Sequence, residues 1–329
     1  MAQLVKQFSW EESLFATANK DEQARQARMD EAWKAYLGEW APLLRVDPGQ
    51  FDDNSKVNPA RFIVNTGVYY LFGQDLQLTG DWANEKPPPW YDKLEKVWEY
   101  NKRQVFYGKV GLNGALGGHA YVKINPTGCG PDRQSPKLTA LDPRYVKVKT
   151  NPDDIDEAWE YVITYCTIDP YTNPLKPMGV QKRQRVIRTD DGWDVIDEEK
   201  TPADSNWRQV RKVTWPYTWG PIVDCQNLLN PSSYYGLSDL EPDTLHTVRQ
   251  IQYVLTNSGK IVRLWAAPKT VAEGITPDLV SEIDISPDGV ISLPDPEGKL
   301  VPLEVSADLA ASIQLTEQTR KALYEMTSV

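Results

Sequence analysis

The residues able to do chemistry are few and badly spaced for it. The chain has two histidines, His119 and His246, and neither stands near a cysteine or second histidine at ligand spacing, so no metal site is expected. Ser258-Gly259-Lys260-Ile261 has the look of the end of a phosphate loop, but it lacks the first glycine, the Ser/Thr and the preceding strand. Inside a helical pattern, Gly259 reads instead as a packing notch or a kink, because glycine is costly there. The run GLNGALGG (111–118) has helix before it and strand after it, the reverse of a nucleotide loop, and predicts a tight helix-to-strand passage. There is no Gly-x-Ser-x-Gly elbow. Asp52-Asp53, Asp153-Asp154 and Asp190-Asp191 stand in turn-like stretches where aspartate is expected anyway. A glycosidase pair needs two acids that are neighbours only in space, which a sequence does not reveal. Cys129, Cys166 and Cys225 are odd in number and far apart, which predicts free buried thiols and a reducing compartment. These residues predict no catalytic group, no cofactor and no enzyme.

The whole chain sets the next bounds. It has 329 residues, 40% hydrophobic and 25% charged, the composition of a folded protein of two or three domains. No apolar run is long enough for a bilayer, and the N-terminus lacks the pattern of a secretion signal. The net charge of −10 argues against wrapping DNA by phosphate neutralisation. It leaves room for surrounding DNA without gripping it. Twelve tryptophans and sixteen tyrosines suit either large interfaces or sugar-binding clefts.

The elements that must position these residues follow from periodicity. Ser9 to Leu37 reads as a polar helical arm, an interaction arm or a plain surface helix, and Trp40 to Asp53 as loop. Asn58-Pro59 opens a second helix that ends at Gly73 and, being apolar on most sides, should be buried. A third runs from Trp90 to about Tyr107, with Leu94, Val97, Trp98 and Val105 inward. A strand begins at Ala120, and alternating strands fill Lys137 to Asp224, with Asp190-Asp191-Gly192 as a hairpin turn. A long helix follows, Asp239 to Leu264. Ser238 and Glu241 stand at capping-box spacing, while Pro242 argues for a start near Glu241. Leu245, Val248, Ile251, Val254, Leu255, Ile261, Val262 and Trp265 recur along it at helical spacing, and Pro268 ends it. Short acidic strands come next, and Ser306 to Met326 forms a last helix with Leu309, Ile313, Thr316, Leu323 and Met326 along one side. A small strand-rich module thus stands between two long helices. The expected class is α+β.

In order and spacing these segments resemble the portal proteins of tailed bacteriophages, in particular the siphovirus portals. NPARFIVNTGVYYLFGQD is similar to the family's early helix. KLEKVWEYNKRQ, GGHAYVKINP and LTALDPRYVKVKTNPDDID are similar to its wing. The most specific passage is WGPIVDCQNLLNPSSYYGLSDLE, whose Asn227, Gly236, Ser238, Asp239 and Glu241 match the family motif.

The resemblance implies a portal fold: a helical arm over 1–57, an α/β wing over 58–235, a first stem helix over 236–265, a β-rich clip over 266–305 and a second stem helix over 306–329. The tunnel loop and crown that normally follow are missing from this chain, which is then an incomplete portal or a short one, incompleteness being the expectation. The family also implies a ring, usually of twelve subunits, at one capsid vertex of the virion, assembled in the host cytoplasm. Double-stranded DNA passes through it non-specifically during packaging and ejection. Terminase and head-completion or adaptor proteins dock on the clip, and the major capsid protein and scaffold meet the wing. No membrane is involved. Arg249, Lys260 and Arg263 are then candidates for sparse DNA contacts or for intersubunit salt bridges. Asp278, Glu282, Asp284, Asp288, Asp295 and Glu297 are candidates for docking partners on the clip. Two other readings stand beside this one: a head–tail adaptor ring, and a carbohydrate-active enzyme or binding module using Trp82, Trp90, Trp193 or Trp219.

Overall fold

The structure, a computed structural model, describes residues 10–46, 48, 52–74, 87–168, 179–202, 204–215, 217–266, 270–273, 299–302 and 309–327. Asp278, Glu282, Asp284, Asp288, Asp295 and Glu297, the acids expected to dock partners, lie outside them, as do Trp82 and Ser306. The protein is of the α+β class. In chain order the elements are α1 (Trp10–Leu37), α2 (Pro59–Phe72), α3 (Pro89–Tyr100), α4 (Arg103–Gly117), β1 (His119–Cys129), β2 (Ser135–Leu141), a 3₁₀ turn (Pro143–Tyr145), β3 (Val146–Asn151), β4 (Asp154–Ile168), β5 (Gly179–Thr189), β6 (Gly192–Lys200), β7 (Arg208–Trp215), β8 (Ile222–Gln226), α5 (Pro242–Ala266), β9 (Thr270–Glu273), β10 (Lys299–Pro302) and α6 (Leu309–Thr327). They fall into two compact units. The first comprises Met1–Trp40, Asn58–Leu245 and Thr327–Val329; the second comprises Ala41–Val57 and His246–Met326. Residues 41–57 thus fall in the second unit, and α1 groups with residues 58–245 in the first.

In the first unit, two antiparallel sheets share a core. The smaller has the order β2-β1-β8 and the larger is the meander β3-β4-β5-β6-β7. Tyr121 and Ile222 of the small sheet pack with Val146, Tyr161, Ile163, Val186, Trp193 and Trp215 of the large one. The strand alternation read in the sequence therefore points its apolar half at a real partner. Asp190-Asp191 forms the two-residue loop between β5 and β6, with Thr189 facing Gly192.

The large sheet also carries charge by strand. β3, β5 and β7 are basic, whereas β4 is acidic and β6 has four acids against Lys200. Ion pairs join every neighbouring pair of strands: Lys149 with Glu160 (2.6 Å), Arg185 with Glu160 (2.5 Å), Arg183 with Glu198 (2.6 Å) and Lys212 with Asp194 (2.8 Å). Cross-strand pairs of opposite charge help set register, because a slip of one residue would bring the wrong faces together.

Helices cover part of this frame, and several expectations change. α2 begins on the expected Asn58 cap, whose side chain accepts from Arg61 N–H (3.0 Å). It buries only Ala60, Ile63 and Val64, and leaves Phe62, Tyr69, Tyr70 and Leu71 exposed, so it is not buried on most sides. The expected third helix is two. Asn101 is buried and turns its side chain to β2, donating to Pro136 O (2.9 Å) and accepting from Leu138 N–H (2.9 Å), and Lys102 takes a left-handed φ of 54°. The ladder of α3 still closes with Asn101 N–H on Val97 O (3.1 Å), and the left-handed Lys102 ends it there. Val105 is consequently exposed rather than inward.

The glycine run is helix to Gly117 before the chain passes into β1. A Cβ on Gly111 would lie 2.8 Å from the Phe72 ring, so glycine lets α4 approach α2 closely. α1 is more than a solvated arm. Met29, Ala32 and Ala35 are buried, and its last carbonyls are capped by Asn58 Nδ2 on Ala35 O (2.9 Å) and Arg61 Nη2 on Leu37 O (3.0 Å). Cys129 is buried as expected, but Cys166 and Cys225 are exposed free thiols.

In the second unit, the segment 41–57 runs against α5. Ser55 N–H donates to Thr256 Oγ1 (3.0 Å), Gln252 Nε2 to Val57 O (3.0 Å) and Arg249 Nη2 to Ala41 O (2.5 Å). Thr256 and Gln252 are buried polar groups that this segment satisfies. α5 has 25 residues, about 38 Å at the usual rise. Val248 and Ile251 are buried, but the stripe weakens along the helix and Val262 is exposed. Gly259 is no packing notch, because a Cβ there would meet nothing within 4 Å. β9 and β10 form an antiparallel pair between α5 and α6. Among the described side chains of α6 only Leu323 is buried, while Ile313 and Met326 are exposed.

Candidate functional site

The motif residues converge on a junction in the first unit where the end of α4, the end of β8 and the approach to α5 meet. Gly118 and Gly236 touch backbone to backbone: a Cβ on either would come within 2.5 Å of the other's carbonyl oxygen. Gly118 also holds a left-handed φ of 74°. Only glycine fits both places. Asn227 N–H donates to Gly118 O (3.0 Å), and its side chain donates to Asp239 Oδ1 (2.7 Å) and Leu237 O (3.3 Å). Ser238 Oγ and Asp239 N–H both reach Ala115 O, at 2.7 and 2.9 Å. The C-terminal carbonyls of α4 are thus satisfied by the chain that enters α5.

The expected capping box is half present. Glu241 Oε1 accepts from Ser238 N–H (2.9 Å), as the spacing predicted. The Ser238 hydroxyl accepts from Leu240 N–H (3.0 Å) rather than from Glu241 N–H, while its proton goes to Ala115 O. α5 then starts at Pro242, and Leu245 N–H bonds to Glu241 O (2.9 Å). Pro242 occupies the first helical position, where its missing N–H costs nothing. Burial pushes the Asp239 carboxyl above the ordinary value, opposed by the Asn227 hydrogen bond.

Beside this junction lies a cluster that sequence reasoning missed. His119, 2% exposed, is stacked between Tyr121 and Tyr234, with centroids 4.7 and 4.9 Å away. Its Nε2 contacts Asp224 Oδ2 at 2.9 Å. Asp224 also accepts from Tyr161 Oη (2.7 Å) and from the Tyr234 hydroxyl. Burial alone would raise the Asp224 carboxyl, yet the donors His119, Tyr161 and Tyr234 hold it below the usual range. An ionised carboxylate only accepts, so the Nε2 proton belongs to His119. Nδ1 is buried without a partner. Burial and the Asp224 charge push the Tyr161 and Tyr234 hydroxyls far up. This cluster ties β1 and β8 to β4 and to the approach to α5. No local signal pointed to it: by polarity Val223 and Cys225 would face inward, whereas the structure exposes them and turns Asp224 toward the core.

The remaining charged candidates are engaged differently. In the second unit Arg263 makes a two-armed pair with Asp53 (2.7 and 2.6 Å), and this hydrogen bond holds the Asp53 carboxyl low. Arg249 is bonded to Ala41 O and to Gln252 (3.3 Å). Lys260 is exposed. In the first unit, a cleft of about 1010 Å³ lies over β3 to β5, lined by Arg25, Lys147, Glu160, Arg185 and others. Burial would raise Glu160, but Arg185 and Lys149 hold it low. A carboxyl so held is a poor proton donor near neutral pH. Among the described residues there is no group of three or more His, Cys, Asp or Glu placed to hold a metal, and no helix is long and apolar enough to cross a membrane.

The fold and its junction thus define an α+β protein in which a bonded joint fixes the start of a long helix. No family model and no curated protein matches the chain. Among solved structures it is similar to a chain in the neck of an empty GTA particle computed with C6 symmetry, at 12% identity and a TM-score of 0.45. The likeness covers 81% of this chain and 63% of that one.

Proposed function

We propose that the chain is a portal-type subunit, a ring-forming conduit for double-stranded DNA at one capsid vertex. The observation that carries the reading is the order of elements after the α/β body: long helix α5, the antiparallel pair β9–β10, then helix α6. In this reading they are the first stem helix, the clip and the second stem helix, and the body is the wing. The five motif residues support it, because they build the joint that fixes the start of α5. An α5 whose apolar stripe fades toward exposed Val262, and an α6 with Ile313 and Met326 exposed, suit staves that finish their packing on neighbouring copies. The net charge of −10 suits a channel that repels phosphate and lets DNA slide. Arg263 is held by Asp53 and Arg249 by Ala41, which leaves exposed Lys260 as the better candidate for a passing phosphate contact. The reading further assigns a ring of about twelve copies, a place in the virion, docking of terminase and head-completion proteins on the clip, capsid and scaffold on the wing, and no catalysis.

Electron micrographs of the purified protein and of assembled particles test it. Rings with a central hole are expected. Uniform monomers in both would end the reading. The carbohydrate reading keeps one supporting feature, the half-exposed Tyr217 and Trp219 stacked at 5.2 Å, whereas Trp193 is buried in the core. Glycan binding by a monomer would favour it.

A further inference from the structure

The two edges of the large sheet differ. At β3 the outer backbone is already covered: Arg25 Nη2 donates to Val146 O (3.0 Å), and Val148 N–H donates to Tyr235 Oη (3.0 Å). At β7 no hydrogen bond among the described residues reaches the backbone from beyond β6. Residues Arg208 to Thr214 are exposed on both faces, with Val210 at 54% and Val213 at 40%. β7 therefore presents amides and carbonyls without a partner among the described residues, interrupted by a bulge at Val210, with two apolar side chains and with Arg208, Arg211 and Lys212 and no acid; Arg208 and Lys212 also reach back to Glu199 (3.8 Å) and Asp194 (2.8 Å) on β6.

Basic residues on an edge strand commonly prevent sheets from pairing with copies of themselves, and they do so here. Both edges of this sheet are basic, so pairing β3 or β7 of one copy with β7 of another would set like charges opposite each other. The same charge selects a different partner. Basic and acidic strands alternate across the whole sheet, and each boundary is closed by ion pairs. A strand that continued the order beyond β7 would be acidic. We propose that the free edge of β7 is a docking site for an extended, acidic segment of another protein, which adds as a sixth strand. Main-chain bonds would supply affinity, Val210 and Val213 apolar contact, and Arg208, Arg211 and Lys212 the selection. This inference is independent of the conduit reading.

The test uses the full chain with two synthetic peptides, one alternating valine and glutamate and one alternating valine and lysine. Hydrogen exchange is read along β7, and affinity by fluorescence anisotropy at two salt concentrations. Expected are slowed exchange of the 208–214 amides with the glutamate peptide alone, and binding that weakens with salt. The Arg208→Glu/Arg211→Glu variant, altered only at exposed positions, should bind the glutamate peptide at least about tenfold more weakly and take the lysine peptide instead. No protection at β7, or equal protection by both peptides, would overturn the proposal and leave the edge as a guard against self-pairing only. The comparison of the two peptides on the parent chain needs no variant and decides even if the variant does not fold.

Discussion

Asp224 accepts from three donors in a largely buried setting, and this sets how the fold responds to acid. Its carboxyl is held below the ordinary value of about 3.9, so its contribution is complete above about pH 4 and is lost as pH falls through the lower, folded value. At pH 7, D224N should be less stable by about 1–3 kcal/mol in urea unfolding. That gap should narrow only as pH falls below the ordinary carboxylate range, through the lower, folded value, where the parent takes up its proton too. Asp239 has the opposite sign. Its folded pKa is raised, so the charged form costs stability once pH passes the unfolded value of about 3.9. D239N, which keeps an acceptor for Asn227, should be more stable than the parent at pH 7 and gain nothing at pH 3. At Gly236 the constraint is steric. Gly236→Ala must displace both the Gly118 and the Leu228 carbonyls, and a loss of about 2 kcal/mol or more is expected in thermal unfolding. Ser238 and Glu241 were legible from capping-box spacing, whereas Asn227, Gly236 and Asp239 joined them only through the resemblance to portal proteins. The partners were not, because Ala115 and Gly118 lie more than a hundred positions away in the chain.

At the scale of elements, strand identity came from alternation and turn residues, and those signals are local. Which strand neighbours which is recorded in the charges, yet β3, β5 and β7 are all basic and any of them would complement β4 or β6. Glu160 shows what the chosen order fixes: it is buried between Lys149 and Arg185. E160A removes the counter-charge that Lys149 and Arg185 share from either side; both cations reach solvent, so the expected cost is about 1 kcal/mol. E157A, near the exposed end of the same strand, should leave the melting temperature close to that of the parent. The break between α3 and α4 was hidden for a related reason. Asn101 is an ordinary helical residue until β2 offers Pro136 and Leu138 as partners. In the second unit, T256V removes the acceptor for Ser55 N–H and should cost about 1 kcal/mol. It should also speed amide exchange over 52–57 while leaving the first unit unchanged.

For the whole molecule, charge governs what it can hold. With a net −10, the purified protein should leave the gel mobility of a DNA duplex unchanged at about 150 mM salt, where binding by phosphate neutralisation would need a dense basic surface. Retention of the duplex at that salt would count against a channel that lets DNA slide.

The sequence by itself determined most of the helices, the Asn58 cap, the strands with their turns, the α+β class and the position of the long helix, because each depends on residues a few places apart; the break between α3 and α4 and half of the capping box escaped it. It also determined the acidic balance. The tertiary structure alone decided that two glycines more than a hundred positions apart share one contact, that segment 41–57 satisfies the buried polar face of α5, and that α1 docks through Met29, Ala32 and Ala35. It also closed the aromatic cage around His119 and Asp224. These depend on which surfaces meet, and a buried polar group shows its partner only once the chain has brought the two together.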